Sequence, residues 1–343
     1  MSLLVNGAPL IPGLEDLTTQ VRASLEKVEA TAFDSLLDQL PASDPKNLES
    51  ILNYVRALAA LPGTADVRGI SVTTFTNLDR AICKIVRTQV DKTLPSDGNA
   101  YLALARWIGA VTRISPTQLF TTNYDLLLEQ ALERQKITYF DGFMGSHEPV
   151  FDLQAIEEDA LPIRWSLLWK LHGSINWSQD SAGNVTRQIP TAGGDTSALI
   201  YPSNLKYDQS RRLPYLAMMD RLKAFMRKPG AILIGTGFSF RDQHINELIE
   251  QSLRANPTSS VIGLLHGDLN GYADAIELTQ RVSNLSLIAK DEAVVGSIRA
   301  KWTPSVDSDG KEVPTTSALG DFDKFGELLV EVTGGTQSRA IDE

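Results

Sequence analysis

From about residue 116 the chain runs as short apolar stretches that end in Gly, Asn or Asp and alternate with helical stretches. That alternation admits few folds besides an α/β unit built on a parallel sheet. The apolar runs are Gln118 to Thr122, Leu167 to Leu171, Ala231 to Gly235, Ser260 to Leu265 and Leu285 to Ala289. Between them, helical spacing predicts helices over Tyr124 to Arg134, Arg211 to Met226, Asp242 to Arg254 and Tyr272 to Val282. Ile232-Leu233-Ile234 is continuously apolar, as in a parallel strand covered on both faces. The expectation is a doubly wound, Rossmann-like, mostly parallel α/β sheet. Gly183-Asn184 suits a hairpin turn, and Thr303 to Gly320 reads as a loop before a last helix at Asp321 to Val332.

The preceding segment carries a different period. Leu14, Leu17, Val21, Leu25 and Val28 follow at steps of three or four, which puts them on one helical face. Asp44-Pro45 supplies a capping carboxylate and a first-turn proline, and Leu48, Ile51, Leu52, Val55, Leu58 and Leu61 follow before Pro62-Gly63 ends the pattern. Leu78 to Val90 and Ala100 to Val111 are two further helices. The expected organisation is an amino-terminal helical subdomain over 1–115, a Rossmann-like core over 116–302 and a carboxy-terminal loop and helix over 303–343.

Charge and cysteine content narrow the function classes. Against 32 Lys plus Arg stand 42 Asp plus Glu, a formal charge of −10, so no general basic field draws the chain to nucleic acid. Cys83 is the one cysteine, which rules out an internal disulfide and a four-cysteine zinc site. No apolar run reaches the roughly 18 residues of a membrane span, and Met1 to Pro12 has no Lys or Arg ahead of its short apolar stretch. The cytoplasm is the expected compartment.

In an open α/β sheet ligands bind beyond the carboxyl ends of the strands, so the residues that leave those ends carry the chemistry. Three ends stand out. Phe120-Thr121-Thr122-Asn123-Tyr124-Asp125 leaves an apolar run for a helix, and helix capping is its simplest reading. Leu171-His172-Gly173-Ser174-Ile175-Asn176-Trp177 places a histidine beside a glycine and several hydrogen-bonding groups. His266, in Leu265-His266-Gly267-Asp268, also follows a strand but has no such constellation after it, while His147 reads as a loop residue and His244 as a helical one. The third end is Ile234-Gly235-Thr236-Gly237-Phe238-Ser239-Phe240-Arg241-Asp242, a glycine turn into a helix whose amino terminus offers N–H donors to phosphate. Phe240 stands where a full dinucleotide fingerprint has its third glycine.

In this order the three ends resemble the sirtuin-like superfamily, over about residues 116 to 290. Asn123 and Asp125 match its Asn-x-Asp element, His172 and Gly173 its His-Gly element, and Gly235 and Thr236 its Gly-Thr turn. The wording is closest to the NAD-hydrolysing Sir2-type proteins of bacterial antiphage defence. The four-cysteine zinc module of the deacetylases has no counterpart here, so peptide deacetylation is a minor reading. The Gly-Ala-Gly-x-Ser loop that opens the family is also absent, whereas Ile11-Pro12-Gly13-Leu14-Glu15-Asp16-Leu17 resembles the segment that normally follows it. Either the natural start lies upstream or the diphosphate is held differently.

The resemblance implies NAD as substrate, no zinc, and cleavage of the nicotinamide-ribose bond by water. Asn123 would orient the water or ribose hydroxyls and Asp125 would contact nicotinamide. His172 would be the general base, beside Gly173, and Gly235, Thr236 and Ser239 would hold the adenosine side. It also implies a homo-oligomer and, in one branch, a HerA-type ATPase partner. The alternative is an NAD or ADP-ribose sensor, or a regulatory subunit of an ATPase or nuclease complex. A nuclease needs clustered carboxylates for a divalent metal, and the densest acidic run, Glu157-Glu158-Asp159, reads as a solvated loop.

Overall fold

The computed structural model of the chain describes residues 3–5, 7–41, 46–59, 70–96, 98–110, 113–158, 161–179, 184–188, 214–306, 311–313 and 315–334. The expected Asp44-Pro45 cap, the Pro62-Gly63 stop and the Gly183 half of the hairpin turn lie outside them. The chain divides into two compact units, one of Ser2–Leu94 with Thr112–Met219 and one of Pro95–Val111 with Asp220–Glu343.

In the first unit four helices build a core of their own: α1 (Leu14–Ser24), α2 (Lys27–Gln39), α3 (Leu48–Ala59) and α4 (Val72–Val90). Their stripes meet in a cluster that includes Val21, Phe33, Leu36, Ile51, Leu52, Val55, Phe75, Leu78, Ile82 and Val86, as amphipathic helices require. The single helix expected from Leu14 to Val28 is broken at Leu25, which is extended. Beyond the break α2 buries Ala30, Phe33 and Leu36, and Val28 turns outward at 67% exposure. α4 starts six residues before the expected Leu78 because Ser71 caps it, its Oγ accepting the Thr74 N–H at 3.1 Å. That cap outweighs the weak helical preference of Val72, Thr73 and Thr74.

The same unit holds three parallel strands, β1 (Gln118–Thr121), β2 (Tyr139–Phe140) and β3 (Ser166–Lys170), with β3 in the middle. β3 is buried along its whole length, its apolar centre Leu167-Leu168-Trp169 as expected and Ser166 and Lys170 at its ends with it. The helix Leu127–Arg134 follows β1, so the expected Tyr124 start is shifted by a turn at Asp125 and Leu126. The loops that leave β1 and β3 reach into the helical core: Ile175 is part of the cluster, and Tyr124 and Leu126 pack against it. The helical layer therefore supports the strand ends directly.

In the second unit β4 (Ile232–Thr236), β5 (Ser260–Leu264) and β6 (Leu285–Ile288) are parallel, with the helices Gln243–Ala255 and Ala273–Arg281 as the crossovers. β7 (Glu292–Val295) and β8 (Ile298–Lys301) extend this sheet antiparallel. Their two-residue turn, Gly296-Ser297, has φ of 57° and 64°, the double left-handed geometry of a tight hairpin. The five expected strands thus fall into two sheets of a mixed α/β fold. β4 is an edge strand whose Ile232 and Ile234 are 59% and 49% exposed, so its apolar run is not covered on both faces as expected. An apolar triplet records hydrophobicity, not the number of neighbours.

The helix Ala100–Ala110, read with the amino-terminal layer from sequence, packs on the last helix, Phe322–Val332, within this second unit. Small residues permit the approach, since a Cβ on Gly326 would lie 2.8 Å from Ala100 Cα. Tyr101 and Phe322 meet edge to face at 5.0 Å. The expected helix from Arg211 begins at Tyr215, residues 211–213 lying outside the described ones.

Candidate functional site

β1 and β3 pair in parallel, Phe120 opposite Trp169 and Thr121 opposite Lys170. The Leu171 N–H continues the ladder to Thr121 O at 2.8 Å. Asn123 and His172 each lie two positions beyond the Thr121–Lys170 pair, so the register brings the two expected catalytic residues out at one edge. The two loops are then tied together. The Tyr124 carbonyl accepts the Ile175 N–H at 3.0 Å and the Ser174 hydroxyl at 3.4 Å, and the Tyr124 and His172 rings are 6.3 Å apart.

Within this group burial separates the roles. Asn123 is exposed, its N–H donating to Thr121 Oγ1 at 3.0 Å, whereas His172 is buried. The helix-entry turn is made by Asp125, whose Oδ1 accepts the Leu127 N–H at 2.9 Å. Burial raises the Asp125 carboxyl above the ordinary carboxylate range, and the Lys170 ammonium opposes that shift. Gly173 has φ of 94° and donates its N–H to Lys170 O at 3.2 Å, a left-handed turn that favours glycine.

Beneath these loops lies a group that the sequence reading passed over. Lys170, 1% exposed, donates to the carbonyls of Tyr124 (3.4 Å) and Asp125 and to Glu129 Oε1 (2.9 Å). Burial raises the Glu129 carboxyl, and Lys170 again opposes the shift. A lysine inside an apolar strand, Leu167-Leu168-Trp169-Lys170-Leu171, was the available signal, because a buried ammonium requires a carboxylate and carbonyls around it.

The second unit holds Gly235, Thr236 and Ser239. Gly235 and Thr236 end β4, opposite Gly263 and Leu264 of β5. The Thr236 hydroxyl is buried with no hydrogen-bond partner among the described residues, an orphaned polar group at a strand's carboxyl end. Gly237 (φ 70°) and Phe240 (φ 58°) are both left-handed, and the Phe240 ring turns back against Gly263, where a Cβ would meet it at 2.9 Å. A half-open pocket of about 170 Å³ lies beside this turn, lined by Gly237, Phe238, Ser239, Leu264, His266 and Tyr272. It has room for one ring system rather than a whole dinucleotide. The Tyr272 hydroxyl donates to His266 O at 2.7 Å, which fixes that wall.

Two sequence expectations change here. The helix amino terminus at Gln243 was expected to offer its N–H donors to phosphate, but Asp242 Oδ1 already accepts the Ile245 N–H at 3.0 Å. A phosphate there would face a carboxylate. His266, set aside for lack of a polar constellation, lines the pocket with Ser239. Its partners come from another strand end, which linear sequence does not display.

The structure thus brings together Asn123, Asp125, His172 and Gly173 in one unit, and Gly235, Thr236 and Ser239, with His266, in the other. Among the described residues no group of three or more His, Cys, Asp or Glu forms a candidate metal site, and no helix is long and apolar enough to cross a membrane.

No curated protein matches the chain. Residues 117–281, from β1 through the helix Ala273–Arg281, match the SIR2-like domain, which supports a Sir2-type family and NAD-related chemistry in general terms.

Proposed function

We propose that the protein is an NAD glycohydrolase that converts NAD and water to ADP-ribose and nicotinamide. The observation that carries the reading is the emergence of Asn123 and His172 at equal offset from the Thr121–Lys170 pair. In the reaction the bond between ribose C1′ and the nicotinamide nitrogen breaks, its electron pair leaving with nicotinamide as a neutral group. The sugar passes through an oxocarbenium-like state, water oxygen bonds to C1′, and the water proton goes to a base. His172 takes that proton, directly or through a ribose hydroxyl, because a neutral imidazole nitrogen is the proton acceptor that this strand end supplies beside Asn123. Asn123, exposed at the same edge, orients the water or ribose. Asp125 meets the nicotinamide. Thr236 and Ser239, with Gly235, hold the adenosine side, where the ring-sized pocket lies. By resemblance the activity belongs to antiphage defence through NAD depletion, in a homo-oligomer and with a HerA-type ATPase as a candidate partner.

The test is purified protein with NAD, with and without magnesium and DNA, following nicotinamide release and DNA nicking together. His172→Ala is expected to lose about 10²- to 10⁴-fold in rate while staying folded. Asn123→Ala is expected to lose most activity with little change in melting temperature, because Asp125 rather than Asn123 makes the helix-entry turn. His147→Ala, at an exposed loop position, is the control. DNA nicking without nicotinamide release, or wild-type rates in folded His172→Ala, overturns the proposal. Tight ADP-ribose binding without turnover would make the protein a sensor instead.

A further inference from the structure

We infer that Lys170 is a positioning residue that sets Asn123 against His172, an inference that deepens the glycohydrolase reading and rests on it. Lys170 is the last residue of β3, two positions before His172 in the turn that follows the strand. An ammonium has three donors, and its acceptors here are the Tyr124 carbonyl, the Asp125 carbonyl and Glu129 Oε1. The two carbonyls belong to the loop that carries Asn123 and Asp125, and Glu129 belongs to the first turn of the helix that follows. One buried side chain therefore reaches from the strand that carries the base to the loop that carries the orienting amide.

Stability alone does not account for this arrangement. A buried ion pair gains little over well-packed apolar residues of the same volume, because desolvating both ions offsets their attraction. An apolar pair would fill the space as well, but it would leave the Tyr124 and Asp125 carbonyls without their cationic donor. Backbone amides already join β1 to β3, and the Ile175 N–H and Ser174 hydroxyl reach Tyr124 O from the far side of the His172 turn. Lys170 adds the hold from beneath, so that the 123–125 segment is gripped from two directions. Glu129 supplies the counter-charge, which makes the buried ammonium tolerable.

The experiment compares wild type with Lys170→Met/Glu129→Leu, which removes both members of the ion pair together. Melting temperature, kcat and KM for NAD, and hydrogen exchange of the 122–127 and 171–176 segments are measured on the full chain. The inference expects a folded protein whose kcat falls by about ten- to a hundredfold, the scale of a misplacement near 1 Å, with KM changed less than about threefold. It also expects faster exchange confined to residues 122–127. Wild-type kcat together with wild-type exchange in that segment overturns it. If wild type releases no nicotinamide, the glycohydrolase reading falls, and the exchange pattern alone still decides the role of Lys170. Should the double variant fail to fold, Lys170→Met/Glu129→Gln, which also removes both charges of the pair but keeps an amide in place of the carboxylate, is measured instead: kcat lower by about tenfold or more with faster exchange of residues 122–127 is the expected result, and wild-type kcat with wild-type exchange overturns the inference.

Discussion

Gly320→Ala tests how the second unit builds its pocket wall. Gly320 is buried, and a Cβ there would lie 1.9 Å from Leu265 O, 2.2 Å from Leu265 C and 2.7 Å from His266 N. All three are backbone atoms at the end of β5, so no side chain can swing aside. Ordinary contact requires a retreat of more than about 1 Å, against a ladder in which the Leu265 N–H is bonded to Ile288 O. Overpacking of this kind costs about 1–3 kcal/mol. For a unit of this size each kcal/mol lowers the melting temperature by about 2–4 °C, so the expected fall is about 2–12 °C. Gly98→Ala is the matched control, because nothing lies within 4 Å of its added Cβ. Thermal melts followed by circular dichroism measure both variants. Displacement of Leu265-His266 should also weaken ADP-ribose binding in Gly320→Ala, read by calorimetry at a temperature where the variant is fully folded. A Gly320→Ala melt within about 1 °C of Gly98→Ala would refute the packing argument.

Asp125→Asn keeps the acceptor for the Leu127 N–H and removes a buried charge. Because burial raises the folded Asp125 carboxyl, the native state holds a proton that the unfolded chain has released, and this contribution to stability declines as pH rises through the raised value. Asp125→Asn should therefore melt at or above wild type near neutral pH, with the gap closing on acidification; a gap that widens toward low pH would contradict this sign. Cys83 is buried between Arg56 and Asp79, and burial pushes its thiol up to about 12. It should resist iodoacetamide in the native protein at about pH 8 and react once denatured, which mass spectrometry reads directly.

Much of the candidate site is legible in the linear chain because strand ends and polar residues are local features. Asn123, Asp125, His172, Thr236 and Ser239 were found as polar groups that interrupt or follow apolar runs, and the structure places each at such an end. Lys170 was passed over and His266 was noted but set aside, because their meaning depends on other segments. A lysine in an apolar run is an anomaly until Glu129 and two carbonyls surround it. A strand-end histidine has no polar neighbours in sequence until parallel pairing sets its strand beside the one that leads to Ser239.

The helical periods, the apolar strands and the turn residues that follow them are properties of neighbours in sequence, and by themselves they determined the mixed α/β class and the order of the elements. Tertiary structure decided which elements share a core. It joined Ala100–Ala110 to the last helix through the small residues Ala100 and Gly326, left β4 at a sheet edge, and broke the first apolar stripe at Leu25. The physical reason is that hydrophobic burial is non-directional: an apolar stripe records that a partner exists, whereas shape, close approach and hydrogen-bond register select which one.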